Sequence, residues 1–179
     1  MTHDDARCEI DRWRGSCLNL FARAEHAVGR CMEAAVLANK ARKVRHLPGQ
    51  KLGDLIALTA KLERTAKQKQ AFDTALNLWD EVQPQRAFLA HGVVTEAIDR
   101  HGSWIAVFDM VIHKGDEAID KRWSVTKDEA DLFHCNLTDG FKSLSNQLGQ
   151  LRRHLNITPD RARPADPDTV PGSCDGGSS

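Results

Sequence analysis

Apolar residues in the first part of the chain recur three and four positions apart. Ile10, Trp13, Cys17, Leu20, Phe21, Ala24, Val28, Cys31 and Ala35 fall on one stripe, the spacing of one long amphipathic helix. The pattern predicts that this helix continues into the basic residues 40–43 and stops before Pro48-Gly49, a turn signal. A second helix carries Leu52, Leu55, Ile56, Thr59 and Leu62 on one face. Residues 64–70 hold no large apolar side chain and are expected to be an exposed helix end or a loop. A third helix places Phe72, Ala75, Leu76, Trp79 and Val82 together, then Leu89 and Ala90. Pro84 falls inside it. Proline has no N–H to bond the Asp80 carbonyl, which predicts a kink or a restart. Gly92, after His91, predicts a stop in the left-handed conformation.

The period then shortens to two. Trp104, Ala106, Phe108, Met110 and Ile112 alternate with their neighbours, as do Ile119, Lys121, Trp123 and Val125. With Lys114-Gly115-Asp116 as a turn, this predicts a β-hairpin over about 103–125. Thr126-Lys127-Asp128-Glu129 has the form of a capping box. It opens a last helix with Phe133, Leu137, Phe141, Leu144, Leu148 and Leu151 on one stripe. Residues 158–179 are rich in Pro, Asp, Gly and Ser and lack the apolar surface that offsets ordering entropy, so they are expected to be a disordered tail. The expected fold is all-α: a four-to-five-helix up-and-down bundle with a β-hairpin insertion before the last helix. Residues 1–157 form its single domain.

Composition narrows the function classes. The 179 residues include 25 Lys+Arg and 25 Asp+Glu, so the formal net charge is zero. That excludes binding of nucleic acid or membrane by bulk charge. No apolar run approaches the roughly 20 residues of a membrane span, and the charged N-terminal residues do not have the form of a signal peptide. The five cysteines form no CxxC pair, so reduced thiols and a cytoplasmic location are expected. His101, His113 and His134 lack the spacing of a helical metal pair, and no metal is assigned. There is no P-loop or GxGxxG, so no cofactor is assigned.

Neutrality hides a segregation. Residues 40–70 hold nine bases against two acids, and residues 71–139 hold thirteen acids against six bases. Lys40, Arg42, Lys43 and Arg45 form the densest basic cluster and are candidate phosphate contacts for an RNA substrate. The alternative is a solvated face that meets the acidic segment, within the chain or in a partner. Trp104 and Trp123 are either core residues or a platform on which bases stack.

The stretch from Gln85 to Gly92 concentrates the candidate chemistry. A histidine titrating near neutrality moves a proton, and an arginine holds a phosphate through its planar fork. His91 and Arg86 together would form a minimal metal-free apparatus for cutting RNA. Five residues correspond to about 140° around a regular helix, so the two converge only if the helix ends or distorts. The alternative is that His91 caps the helix C-terminus and Arg86 pairs with Asp80 or Glu81.

Arg86-Ala-Phe-Leu-Ala-His91-Gly92, on the third long helix of the expected bundle, resembles the R-x4-6-H signature of the HEPN superfamily. The resemblance extends over about residues 5–155, with a long first helix containing Leu20-Phe-Ala-Arg-Ala-Glu-His26 and a last helix after an insertion. It implies a metal-independent endoribonuclease of toxin–antitoxin or phage-defence type. His91 would be the acid/base and Arg86 the phosphate-binding partner, in a composite cleft of a homodimer. An antitoxin or effector protein is a further implied partner. Ala87 stands where active members commonly carry a polar residue. That departure bears on catalysis rather than fold, and it leads to the alternative of a catalytically inactive HEPN-like interaction or regulatory module.

Overall fold

The computed structural model describes residues 2–45 and 48–157. The order of elements is α1 (His3–Leu37), α2 (Pro48–Lys61), α3 (Ala66–His91), β1 (Val93–Ile98), β2 (Trp104–Lys114), β3 (Glu117–Thr126) and α4 (Lys127–Ile157). The three strands form one antiparallel sheet in the order β1-β2-β3. The fold is therefore mixed α and β, and the all-α expectation is overturned. The expected hairpin is present, but β1 pairs with β2 from Val93↔Asp109 to Ile98↔Trp104. The sheet is also a layer of the core rather than an appendage: Trp104, Ala106, Phe108 and Val125 are all buried. The expected tail lies outside the described residues.

α1 ends at Leu37, short of the predicted basic extension. Asn39 takes φ 55°, while Lys40 N–H donates to the Ala35 carbonyl at 2.8 Å and Asn39 N–H to that of Val36 at 3.0 Å. This is a Schellman stop with asparagine in the place glycine usually takes. α3 begins earlier than the apolar pattern indicates, because Thr65 and Gln68 form a reciprocal capping box. α3 also runs unbroken through Pro84. The proline is exposed, and buried Trp79, Val82 and Leu89 hold the helix on both sides of it. The predicted box at Thr126 and Glu129 opens α4.

The core joins α1, α4 and the sheet through one aromatic cluster. Trp13 lies 6.0–6.2 Å from the rings of Trp104, Phe108, Trp123 and Phe133. Its indole N–H donates to the Ala130 carbonyl at 2.9 Å, which answers the polar end of a buried tryptophan. Trp104 is 2% exposed and donates to Glu9 Oε2 at 3.0 Å. Trp123 stacks on Phe108 at 5.2 Å. Trp104 is thus a buried packing residue, and Trp123 is part-buried against the same core. Cys17 and Cys31 are buried on the α1 stripe, where burial pushes their thiols up to about 12 and about 11.

Candidate functional site

α3 carries Arg86, Ala87 and His91 to the end of the molecule where the sheet sits. Buried Leu89 anchors the helix there. Arg14 of α1 completes its end: Nε donates to the Leu89 carbonyl at 2.6 Å and Nη2 to the Gly92 carbonyl at 3.4 Å. Such carbonyls have no partner within a helix. Arg14 therefore serves the role that the sequence offered to His91. Gly92 has extended backbone (φ −68°, ψ 138°), not the expected left-handed form. Close approach requires the glycine instead: a Cβ would lie 2.6 Å from the Phe88 oxygen and 3.2 Å from Phe108 Cβ.

Arg86 and His91 turn to different neighbours. Arg86 Nε lies 2.5 Å from Glu25 Oε1 of α1, with side-chain exposures of 33% and 24%. Its partner is thus neither Asp80 nor Glu81. The N–H is not aimed along the contact, and neither atom makes a hydrogen bond. The pair is Coulombic, and Glu25 keeps unused acceptor capacity. Helical spacing puts Glu25 opposite the Cys17 stripe and predicts an exposed polar residue; the structure holds it half-buried against Arg86.

His91 is exposed and lies one turn beyond Ala87, so the two share a helix face. That face lines a cleft of about 690 Å³ beneath the β2–β3 hairpin. On β2 the core-facing row is Trp104, Ala106 and Phe108, and alternation continues it to Met110 and Ile112 beyond the bundle. Val93 and Val111 beside the cleft are 71% and 55% exposed. Asp109 and Arg122 at its margin are paired at 2.6 Å. Arg86 does not line this cleft. Within one chain the guanidinium faces α1 and the imidazole faces the hairpin.

Lys40, Arg42, Lys43 and Arg45 do come together. They line one open groove of about 790 Å³ with Lys61 and Asp54, between the end of α1 and α2. Asp54 is held by Arg45 at 2.6 Å, which leaves the other cations of the groove unopposed by any lining acid. The groove lies far from His91. Arg14, at the level of the α3 C-terminus, precedes Leu37 by about 23 residues, or about 35 Å along α1. The predicted phosphate contacts therefore lie about 35 Å along α1 from the level of the α3 C-terminus that carries His91, while Arg86, beside Glu25, is about 18 Å from Leu37.

Among the described residues no three His, Cys, Asp or Glu side chains gather as a metal site, and no helix is long and apolar enough to cross a membrane. No family model, curated protein or solved structure matches the chain.

Proposed function

We propose that the chain is a HEPN-like interaction module, in which Arg86 works for the fold and RNA is left uncut. The ion pair between Arg86 and Glu25 carries this reading. An arginine that stabilises a phosphorane must face the phosphate together with the acid/base. Arg86 instead neutralises a half-buried carboxylate and ties α3 to α1. Ala87 supports the same reading, because it puts a methyl group beside His91 where chemistry calls for a polar side chain.

The module associates through the hairpin cleft, most simply with a second copy of itself in a reducing compartment such as the cytoplasm. Met110 and Ile112 form an apolar strip there, rimmed by charged residues, as interaction sites are. Sedimentation velocity tests it. The wild type is expected at twice the chain mass of 19.9 kDa, and Ile112→Asp at the chain mass. A wild type that stays monomeric contradicts self-association.

One observation favours the nuclease as a second reading: His91 is exposed in an open cleft. That reading requires Arg86 to leave Glu25, or an arginine from a partner to replace it, and an RNA substrate that reaches both the cleft and the basic groove.

A further inference from the structure

The basic groove between the end of α1 and α2 is not used by association through the hairpin cleft. Its charged lining is Lys40, Arg42, Lys43, Arg45 and Lys61 against Asp54. Arg45 Nη2 donates to Asp54 Oδ1 at 2.6 Å, so the one lining acid is spent on one cation. Among the described residues Lys40, Arg42, Lys43 and Lys61 make no ion pair and no side-chain hydrogen bond, and all four are exposed. The stop at Asn39 takes residues 40–45 out of α1, and Lys61 enters from the last turn of α2. Four unopposed positive charges thus line one open space of about 790 Å³, and a concave wall of one sign concentrates the potential.

The lining selects among anionic partners. An acidic protein surface gains little from exposed lysines and arginines, because such pairs are screened by salt and restrict two long side chains. It needs an apolar anchor as well, and the groove offers no large one. Met32 and Leu58, its largest apolar residues, are only 2% and 6% exposed. A chain of phosphates gains where carboxylates do not, since each phosphate neutralised releases a condensed counterion. The groove also holds no aromatic residue, so a base has no ring on which to stack. The contacts left to it are to the backbone.

We propose that this groove binds the sugar–phosphate backbone of a nucleic acid, without regard to base sequence. Lys40, Arg42, Lys43 and Lys61 contact the phosphates, and Asp54 withholds Arg45 from a fifth contact. The site goes beyond the interaction-module reading and does not rest on it. It lies about 35 Å along α1 from the level of His91, and it holds a strand without cutting it.

Fluorescence anisotropy of the full chain with a labelled oligothymidylate of about 20 nucleotides tests this. The probe is DNA and has no 2′-hydroxyl, so its binding is read separately from RNA cleavage and from the mass found by sedimentation. Binding is expected with a dissociation constant of about 10⁻⁴–10⁻⁶ M, weakening with salt along a log–log slope of about −3, the value for four phosphates of a single strand. Lys43→Gln is expected to reduce the slope by about 0.7 in magnitude. Lys142→Gln removes the same charge from α4, outside the groove, and is expected to leave the slope unchanged. Asp54→Asn releases Arg45 and is expected to tighten binding and steepen the slope by about 0.7, a gain that damaged folding does not produce. No binding at low salt, a slope that Lys43→Gln and Asp54→Asn leave as it was, or displacement of the probe by polyglutamate as readily as by unlabelled oligonucleotide overturns the proposal.

Discussion

Gly92 shows how one residue can be required for a reason its position does not announce. Its Cβ direction is closed by the Phe88 carbonyl and by Phe108, so Gly92→Ala overfills the joint between α3 and β1. The expected cost is about 1–3 kcal/mol, read as a lower urea midpoint with an unchanged slope. A variant as stable as the wild type would mean that the joint adjusts freely. The sequence marks Gly92 as a helix stop, and α3 does stop there. It does not reveal the close approach, because Phe108 is sixteen residues away and arrives only through the sheet. The same limit applies at Arg86. Its chemistry and its spacing from His91 are legible, but its partner Glu25 lies on another helix. Arg14 is equally silent in sequence, a polar residue beside an apolar stripe until the end of α3 is laid against it.

At the scale of elements, the amphipathic stripes of α1 and α4 and the hairpin alternation were legible because each buries one continuous face. β1 was not. It presents Val93 to solvent, and Glu96 interrupts the row formed by Val94 and Ile98, so no apolar alternation marks it. Its place in the sheet comes from pairing with β2. The cluster around Trp13 then holds the layers together. Trp13→Ala is expected to cost about 3–5 kcal/mol, measured by urea denaturation, and a loss under 1 kcal/mol would show that the cluster is not the joint between α1, α4 and the sheet. Element ends carry the pH dependence. Backbone hydrogen bonds from Thr2, Ser103 and Thr126 hold the carboxyls of Asp5, Asp99 and Glu129 below their ordinary values of 3.8, 3.8 and 4.5. A carboxyl lowered in the folded state adds stability above its ordinary value and loses it as pH falls through the folded value. Thermal midpoints are therefore expected to fall as pH drops below about 4, and Asp99→Asn is expected to flatten that fall. A midpoint that rises on acidification would contradict the sign.

The whole molecule separates what the chain's zero net charge conceals. Its cations gather in the groove of Lys40, Arg42, Lys43 and Arg45 at one end of α1, while Arg86 is committed to Glu25 midway along that helix and His91 lies further on, at the level of Arg14. A charge count along the sequence reveals the segregation but not the separation, since only the length and course of α1 set the groove about 35 Å from the level of His91. The account as a whole rests on Arg86 serving the fold rather than a phosphate. Cleavage of end-labelled RNA in EDTA, by wild-type protein beside His91→Ala from the same preparation, tests this most directly. The account predicts intact RNA with both proteins. Cleavage by the wild type that disappears in His91→Ala would contradict it.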